Sequence, residues 1–230
     1  MTPSSAIAER LVQLTLEVSH VCARCGRNPR DVTVVAVTKT HSAEILRLAV
    51  DAGLTEIGEN RVQEAEAKFT QIGHIAHYHL IGHLQSNKAK KAVQLFDVIQ
   101  SVDSLGIAQE ISRRAGEIGK TMECLIEVNS SGEAQKFGVQ PAATLALAEE
   151  IVRLPHLRLT GLMTVGPLTD DPDRIRVAFR ECRLLFEQMR TGFGPQVAVL
   201  SMGMSGDFET AIEEGSTMIR IGTLLFGERT

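Results

Sequence analysis

The sequence lacks the features that would direct a chain to a membrane or to nucleic acid. No apolar run is long enough to span a bilayer, and the N-terminus has no apolar core of a signal peptide. Basic residues are not in excess, because 24 Lys and Arg stand against 28 Asp and Glu, a net charge of −4. We therefore expect a cytoplasmic protein that binds neither nucleic acid nor an anionic membrane.

Cysteine is also scarce, with four in 230 residues. Cys22 and Cys25 form a C-x-x-C pair near the end of a predicted helix, but no second pair completes a zinc set. Cys124 and Cys182 lie in apolar segments, which is typical of small buried residues. We expect four reduced thiols. A redox or metal role for Cys22 and Cys25 is the alternative.

Short apolar runs rich in β-branched residues alternate with amphipathic segments along the whole chain. The pattern predicts eight strands, at 32–37, 54–57, 77–81, 96–99, 122–128, 157–163, 196–200 and 218–221. Alternation of strand and helix predicts a parallel sheet of the α/β class, and eight strands predict a closed TIM-type (β/α)8 barrel. The expected architecture is one domain, 1–230, with an additional N-terminal helix. An open doubly wound sheet is the alternative, although no G-x-G-x-x-G follows the first strand.

The segment after the last strand is short. Residues 224–230 cannot form a full covering helix, so we expect the N-terminal helix to cover that part of the barrel.

Chemistry in such barrels collects at the carboxyl ends of the strands. Lys39 follows an unbroken apolar strand and shares a face with Val35 and Val37. Loss of solvation there would lower the lysine pKa and favour a nucleophilic amine, for which Schiff-base formation is the natural use. The alternative is a lysine that only extends its charge into solvent at the barrel mouth.

The loops after strands seven and eight are rich in small residues. Each follows an apolar strand, one with a Gly/Ser run and a short helix at 200–215 and the other with Gly222 and Thr223. Barrels of this kind often bind phosphate there, since backbone N–H groups without partners point at the anion. The alternative is a pair of ordinary turns with Ser205 as a helix N-cap.

Several other polar residues stand out. Alternation points Arg220 into the barrel, where it would serve either a structural ion pair or a ligand contact. His77 and His79 share a strand face, but no carboxylate or cysteine completes an obvious metal set, so no metal is expected. Lys136, in the loop after strand five, could reach the mouth.

Five motifs, taken together and in order, resemble one known family. They are AVTK at 36–39, GENRVQE at 58–64, HLIGHLQSNK at 79–88, LSMGMS at 200–205 and IRIGT at 219–223. Together they resemble the pyridoxal phosphate homeostasis protein family over nearly the whole chain. Tyr78 and Leu80 depart from the family's usual bulkier aromatic or Met residues, which bears on local packing.

The resemblance implies a single barrel like the N-terminal domain of alanine racemase that binds pyridoxal 5′-phosphate (PLP). Lys39 matches the family's Schiff-base lysine, and Asn60 matches the asparagine near the cofactor's ring substituents. Arg220 matches the arginine that faces the pyridine nitrogen. The phosphate-binding positions match Ser205, Gly222 and Thr223, with the backbone of Met204 nearby. The family is known as a regulator of vitamin B6 and amino-acid balance, without an established catalytic activity.

The rival interpretation is a PLP-dependent amino-acid racemase. Two-base racemisation needs a second acid or base across the cofactor from the lysine. The alanine racemase family draws a tyrosine from a second domain of the partner subunit, whereas this sequence predicts one domain. Its single tyrosine, Tyr78, is expected early in strand three, away from the mouth. We therefore expect a monomeric PLP carrier or buffer that supplies apo-enzymes and has no catalytic residues. A Schiff-base aldolase without cofactor is a third possibility.

Overall fold

Eight parallel strands close into a barrel in the computed structural model, which describes residues 3–133 and 135–227. The strands are β1 (Thr33–Val37), β2 (Glu56–Glu59), β3 (His77–Leu80), β4 (Val98–Val102), β5 (Met122–Val128), β6 (Leu157–Thr164), β7 (Val199–Ser201) and β8 (Met218–Ile221). Each strand pairs with its neighbours in the chain, and β8 pairs with β1. The predicted (β/α)8 barrel is confirmed.

Helices surround the barrel and cover its outer face. They are α1 (Pro3–Arg24), α2 (Ala43–Asp51), α3 (Val62–Ile72), α4 (Ala89–Leu95), α5 (Leu105–Glu117), α6 (Thr144–Ile151), α7 (Pro172–Phe193), α8 (Phe208–Glu213) and α9 (Thr223–Phe226). No helix among the described residues is both long enough and apolar enough to cross a bilayer.

Four predicted strand starts were too early, by one residue in β1, by two in β2 and β4 and by three in β7. The starts of strands four and seven show the cause. Strand four was expected from residue 96, but the Phe96 N–H donates to the carbonyl of Ala92 and still belongs to the end of α4. Strand seven was expected from residue 196, but pairing with β6 begins at Val199. In both places an apolar run continues from the strand into the preceding turn, and apolar sequence alone does not separate the two.

The additional N-terminal helix, α1, packs on α2, α8 and α9. Leu14, Val18 and Val21 recur at helical spacing and are buried. They form one apolar face of α1, which packs against the helices that surround the barrel. After β8 the described chain holds only the four-residue α9, and residues 228–230 lie outside the described part. The expectation that α1 covers this side of the barrel is confirmed.

Alternation along the strands separates the interior of the barrel from its helix-facing surface. Ile219 and Ile221 are fully buried on the side of the helices, while Arg220 between them points inward. Tyr78 points outward, stacks on Phe69 of α3 at 3.8 Å between ring centroids, and donates its hydroxyl to the carbonyl of Gly73. The expected placement of Tyr78 away from the mouth is therefore correct.

All four cysteines are free thiols. Cys124 and Cys182 are completely buried, and burial raises the pKa of each thiol to about 12. Cys22 is buried in α1, and the Cys25 thiol lies against the carbonyl of Val21 in the same helix. The thiols thus serve as small packing residues of the fold.

Candidate functional site

A cavity of about 410 Å³ opens at the carboxyl ends of the strands, and we call it the mouth cavity. Its wall is formed by residues that follow β1, β2, β3, β6, β7 and β8. They are Val37, Lys39, His41, Asn60, Ile81, Val165, Met204, Ser205, Gly206, Arg220, Gly222, Thr223 and Gly227. All seven residues that the sequence nominated for cofactor binding lie in this one wall.

Lys39 is half-buried in the tight turn after β1. The next residue, Thr40, has a φ of 68°, a left-handed conformation that a residue other than glycine seldom adopts. The Thr40 N–H donates to the Glu64 carboxylate, and the carbonyl of Thr38 accepts from the Lys68 ammonium at 2.7 Å. Two side chains of the β2–α3 segment therefore hold the backbone on both sides of Lys39.

The Lys68 ammonium contacts most of the groups that hold the turn after β1. It lies 2.7 Å from Glu59 and 2.9 Å from Glu64, and the Thr38 hydroxyl donates to the same Glu59 oxygen. Burial opposes ionisation of Glu64, but hydrogen bonds from Lys68 and Thr40 outweigh it and lower the carboxyl pKa. Sequence reasoning missed this cluster. Its only local signal is the Glu64–Lys68 spacing of four residues, which helices use for ion pairs.

Asn60 follows β2 and brings an amide to the mouth cavity. Its Oδ1 is buried and accepts no hydrogen bond from the part of the chain that the structure describes. Gly82 fixes the position of Asn60, because a Cβ on residue 82 would lie 2.3 Å from the carbonyl oxygen of Asn60. A buried acceptor without a partner is costly, so this atom is suited to a hydroxyl or N–H of a ligand.

Arg220 reaches the cavity from inside the barrel. One of its guanidinium nitrogens donates to the carbonyl and hydroxyl of Ser201 at 2.9 and 2.8 Å, and the other donates to the carbonyl of Thr164 at 2.8 Å. No ion pair among the described residues includes Arg220, so the structural ion-pair alternative is wrong. Burial lowers the pKa of Arg220 to about 10, against the opposite effect of Asp207 and Glu127, and the group stays charged at neutral pH.

The loop between β7 and α8 forms the opposite side of the cavity. Its Ser205 and Gly206 N–H groups donate to no acceptor in the described chain, whereas the Met204 N–H donates to Asp207 at 2.6 Å. Helix α8 begins only at Phe208, after Asp207. The alternative of Ser205 as its N-cap is therefore wrong. The Ser205 hydroxyl instead accepts from the Leu224 N–H at 3.5 Å, joining the loops after β7 and β8.

Lys136 does not reach the mouth cavity. Its ammonium lies 2.8 Å from Glu133 and donates to the carbonyl of Gly166 at 2.7 Å. Lys136 thus joins the loop after β5 to the loop after β6, and its role is structural.

His41 was missed as a wall residue. It lies two positions after Lys39 in the same loop, and its ring tilts against Phe226 of α9 at 4.8 Å. Neither a strand nor a helix contains His41, so no periodicity could have assigned it to the cavity.

Known proteins match the chain over nearly all its length. The profile of the family described as alanine racemase, N-terminal domain, matches residues 13–230. A relative from Aquifex aeolicus, named pyridoxal phosphate homeostasis protein, is 40% identical over 222 residues, which cover 96% of this chain and 97% of the relative. This chain belongs to the pyridoxal phosphate homeostasis protein family. The resemblance of the five motifs is confirmed.

The fold of this member of the pyridoxal phosphate homeostasis protein family is similar to those of several solved structures. PipY of Synechococcus elongatus PCC7942, solved with PLP bound, has a TM-score of 0.83 at 37% identity, covering 96% of this chain and all of that chain. An alanine racemase of Clostridium difficile has a TM-score of 0.79 at 16% identity, covering 94% of this chain and 56% of the racemase. At that identity the likeness to the racemase concerns the fold alone.

Proposed function

We propose that this chain binds PLP in the mouth cavity and acts as a carrier or buffer of the cofactor in vitamin B6 and amino-acid homeostasis. The observation that carries this proposal is the convergence of four kinds of group in one cavity wall. These are an amine (Lys39), an orphaned acceptor (Asn60), a buried guanidinium (Arg220) and unused backbone N–H groups (Ser205 and Gly206).

Each end of the cavity suits a different part of the cofactor. Lys39 would hold the aldehyde carbon as a Schiff base, which is the usual way PLP is attached to protein. The unused N–H groups of Ser205 and Gly206, with the hydroxyls of Ser205 and Thr223, would donate to the phosphate. Gly222 lies between β8 and α9 in the cavity wall, where its small size would let the backbone approach an anion.

Arg220 would contact the pyridine nitrogen. A guanidinium only donates hydrogen bonds, so the nitrogen facing it must keep its lone pair and remain unprotonated. PLP supplies electron-sink chemistry most strongly when that nitrogen is protonated. Arg220 therefore favours binding of the cofactor over strong activation of an amino acid.

The racemase alternative is the second candidate, and His41 is the observation that favours it. His41 is an ionisable group in the wall that could exchange a proton. However, it comes from the same loop as Lys39, whereas two-base racemisation needs groups on opposite faces of the cofactor. Tyr78 is excluded, because it packs outside the barrel against Phe69.

The test compares two activities of the PLP-loaded protein. Transfer is followed as reactivation of several apo-enzymes, and racemisation as loss of the α-deuteron from labelled L-amino acids. We expect reactivation together with little or no deuterium loss, and Lys39→Ala as a control should abolish both. Deuterium loss at about 1–10³ per second, the usual range for enzymes, would overturn the carrier proposal. If His41→Gln removed that loss, His41 would be identified as the missing acid or base.

A further inference from the structure

The opposite end of the barrel holds a second cavity, which we call the floor cavity. It has a volume of about 200 Å³ and is lined by the first residues of several strands, including Glu56, His77, Val98 and Met218. The amino-terminal face of such barrels normally serves stability. A cavity with ionisable side chains at this face is not explained by cofactor binding at the other end.

Three of these side chains converge on one point. Oε2 of Glu56 lies 2.7 Å from Nδ1 of His77 and 2.6 Å from Nε2 of His79. The strand register causes this, because Glu56 is directly opposite His77 and Gly58 is opposite His79. The His79 ring lies on the same face of the sheet and reaches back to Glu56. Three potential ligand atoms thus lie within 4.8 Å of one another, and the expectation that no carboxylate completes the histidine pair is wrong.

A buried amide holds the inner histidine in place. Nδ1 of His79 lies 2.9 Å from Nε2 of Gln100, and Oε1 of Gln100 accepts from the Ser201 hydroxyl at 2.7 Å. In this orientation the Gln100 amide N–H points at Nδ1, so the proton of a neutral His79 ring lies on Nε2. Histidines that bind metals usually donate the N–H of their other ring nitrogen to an acceptor, which fixes the opposite tautomer. With the Gln100 amide turned over, its oxygen would accept from Nδ1–H and leave Nε2 of His79 unprotonated for a metal.

We propose that Glu56, His77 and His79 form a binding site for a divalent transition-metal ion, with Zn²⁺ as the best-matched ion. Two imidazole nitrogens and one carboxylate oxygen suit Zn²⁺, whereas Mg²⁺ and Ca²⁺ prefer oxygen ligands alone. Water in the floor cavity would take the fourth position of the tetrahedron.

The geometry requires only a small rearrangement. Ligand atoms about 2.0–2.1 Å from a tetrahedral Zn²⁺ lie about 3.3 Å apart, so Oε2 of Glu56 must move less than about 1 Å away from each histidine nitrogen. The two nitrogens, which lie within 4.8 Å of each other, must reach the same separation. His77 can move, because 42% of its side chain is exposed, while His79 is fixed by burial and by Gln100.

The experiment measures Zn²⁺ itself on the full chain. The protein is treated with a chelator, titrated calorimetrically with Zn²⁺, and analysed for bound zinc after dialysis. We expect one Zn²⁺ per chain and a rise in Tm of about 5–10 °C at a hundredfold excess over Kd. Binding should be lost in His77→Gln and in Glu56→Gln. Gln100→Ala, which removes the contact to His79 together with those to Ser201 and Met218, should weaken it about 10- to 100-fold.

His74→Gln is the matched control, because His74 lies just before the same strand and pairs with Asp97 outside the cluster. This variant should bind Zn²⁺ as the parent chain does. Metal-free His77→Gln loses the hydrogen bond to Glu56 and should unfold cooperatively at a somewhat lower Tm, so that loss of binding is separated from loss of fold. Absence of saturable binding in the parent chain would overturn the proposal. Unchanged binding in the His77 and Glu56 variants, as expected if Cys22 and Cys25 were the ligands, would overturn it equally.

Discussion

At the scale of residues, the hydrogen-bond donors and the acceptor in its wall determine which ligands the mouth cavity can bind. The wall offers donors at the loops after β7 and β8 and one orphaned acceptor at Asn60. Arg220, held by three hydrogen bonds to Ser201 and Thr164, cannot turn away from the cavity without leaving a buried charge without acceptors. We therefore expect a ligand that brings an anionic group to the loops after β7 and β8 and an acceptor to the guanidinium.

Ser205→Ala tests the phosphate end. Removal of one hydrogen bond to a charged group costs about 1.5–3 kcal/mol, so PLP should bind about ten- to a hundredfold more weakly. Affinity is measured by equilibrium titration of the apo-protein, for PLP and for pyridoxal without phosphate. Pyridoxal should bind far more weakly than PLP to the parent chain and should lose little in the variant. Equal affinity of the parent chain for the two ligands would contradict the assignment.

At the scale of elements, the turn after β1 depends on a buried ion cluster from β2 and α3. Lys68→Met removes the ammonium that lies 2.7 Å from Glu59 and 2.9 Å from Glu64, so both carboxyl groups lose this ion pair. Loss of one partner of a buried pair typically costs about 3–5 kcal/mol. We expect that loss in the free energy of unfolding by denaturant titration, together with weaker PLP binding because Lys39 loses its support.

Lys91→Met is the control for that change. Lys91 pairs with Glu66, also on α3, but both side chains are 44% exposed. Exposed pairs contribute less than about 1 kcal/mol. A loss in Lys68→Met no larger than that in Lys91→Met would contradict a supporting role for the cluster.

Strand β5 carries a buried carboxyl with an unusual pKa. Glu127 is 8% exposed, and its Oε2 has no partner among the described residues. Burial and the nearby Asp103 raise its pKa from 4.5 to about 7, although Arg220 acts in the opposite direction. Between these two values the folded state binds more protons than the unfolded state, so this group's contribution to stability is lost as the pH rises from about 4.5 to about 7.

Glu127→Gln removes that titration. The parent apo-protein should lose up to about 3 kcal/mol of unfolding free energy relative to the variant between pH 5 and pH 8. Denaturant titrations of both proteins at several pH values measure the difference. A difference that is constant with pH would show that Glu127 ionises at its ordinary pKa in the folded chain.

Prediction from sequence succeeded where a local pattern determines structure. Alternation of β-branched runs with amphipathic segments was sufficient for the barrel, and alternation within a strand placed Arg220 inward. It failed where contacts depend on strand register or tertiary packing. The register of β2 against β3 brings Glu56 to His77 across 21 residues of sequence, and burial of Lys68 depends on how α3 docks on β2. No periodicity encodes either contact.

At the scale of the whole molecule, the two ends of the barrel carry different sites. The mouth cavity has an amine and anion donors, whereas the floor cavity has a carboxylate and two imidazoles. Gln100 and Ser201 connect them, since the Ser201 hydroxyl donates to Gln100 and accepts from Arg220. That the chain is monomeric and that it supplies PLP to apo-enzymes stay predictions.

The central claim is that Lys39 of the mouth cavity holds PLP. It is tested most directly by borohydride reduction of the PLP-loaded protein, followed by peptide mass spectrometry that locates the pyridoxyl group. We expect one modified peptide, containing Lys39, and no modification or visible cofactor absorbance in Lys39→Ala. Modification of another residue such as Lys136, or unchanged absorbance in Lys39→Ala, would contradict it.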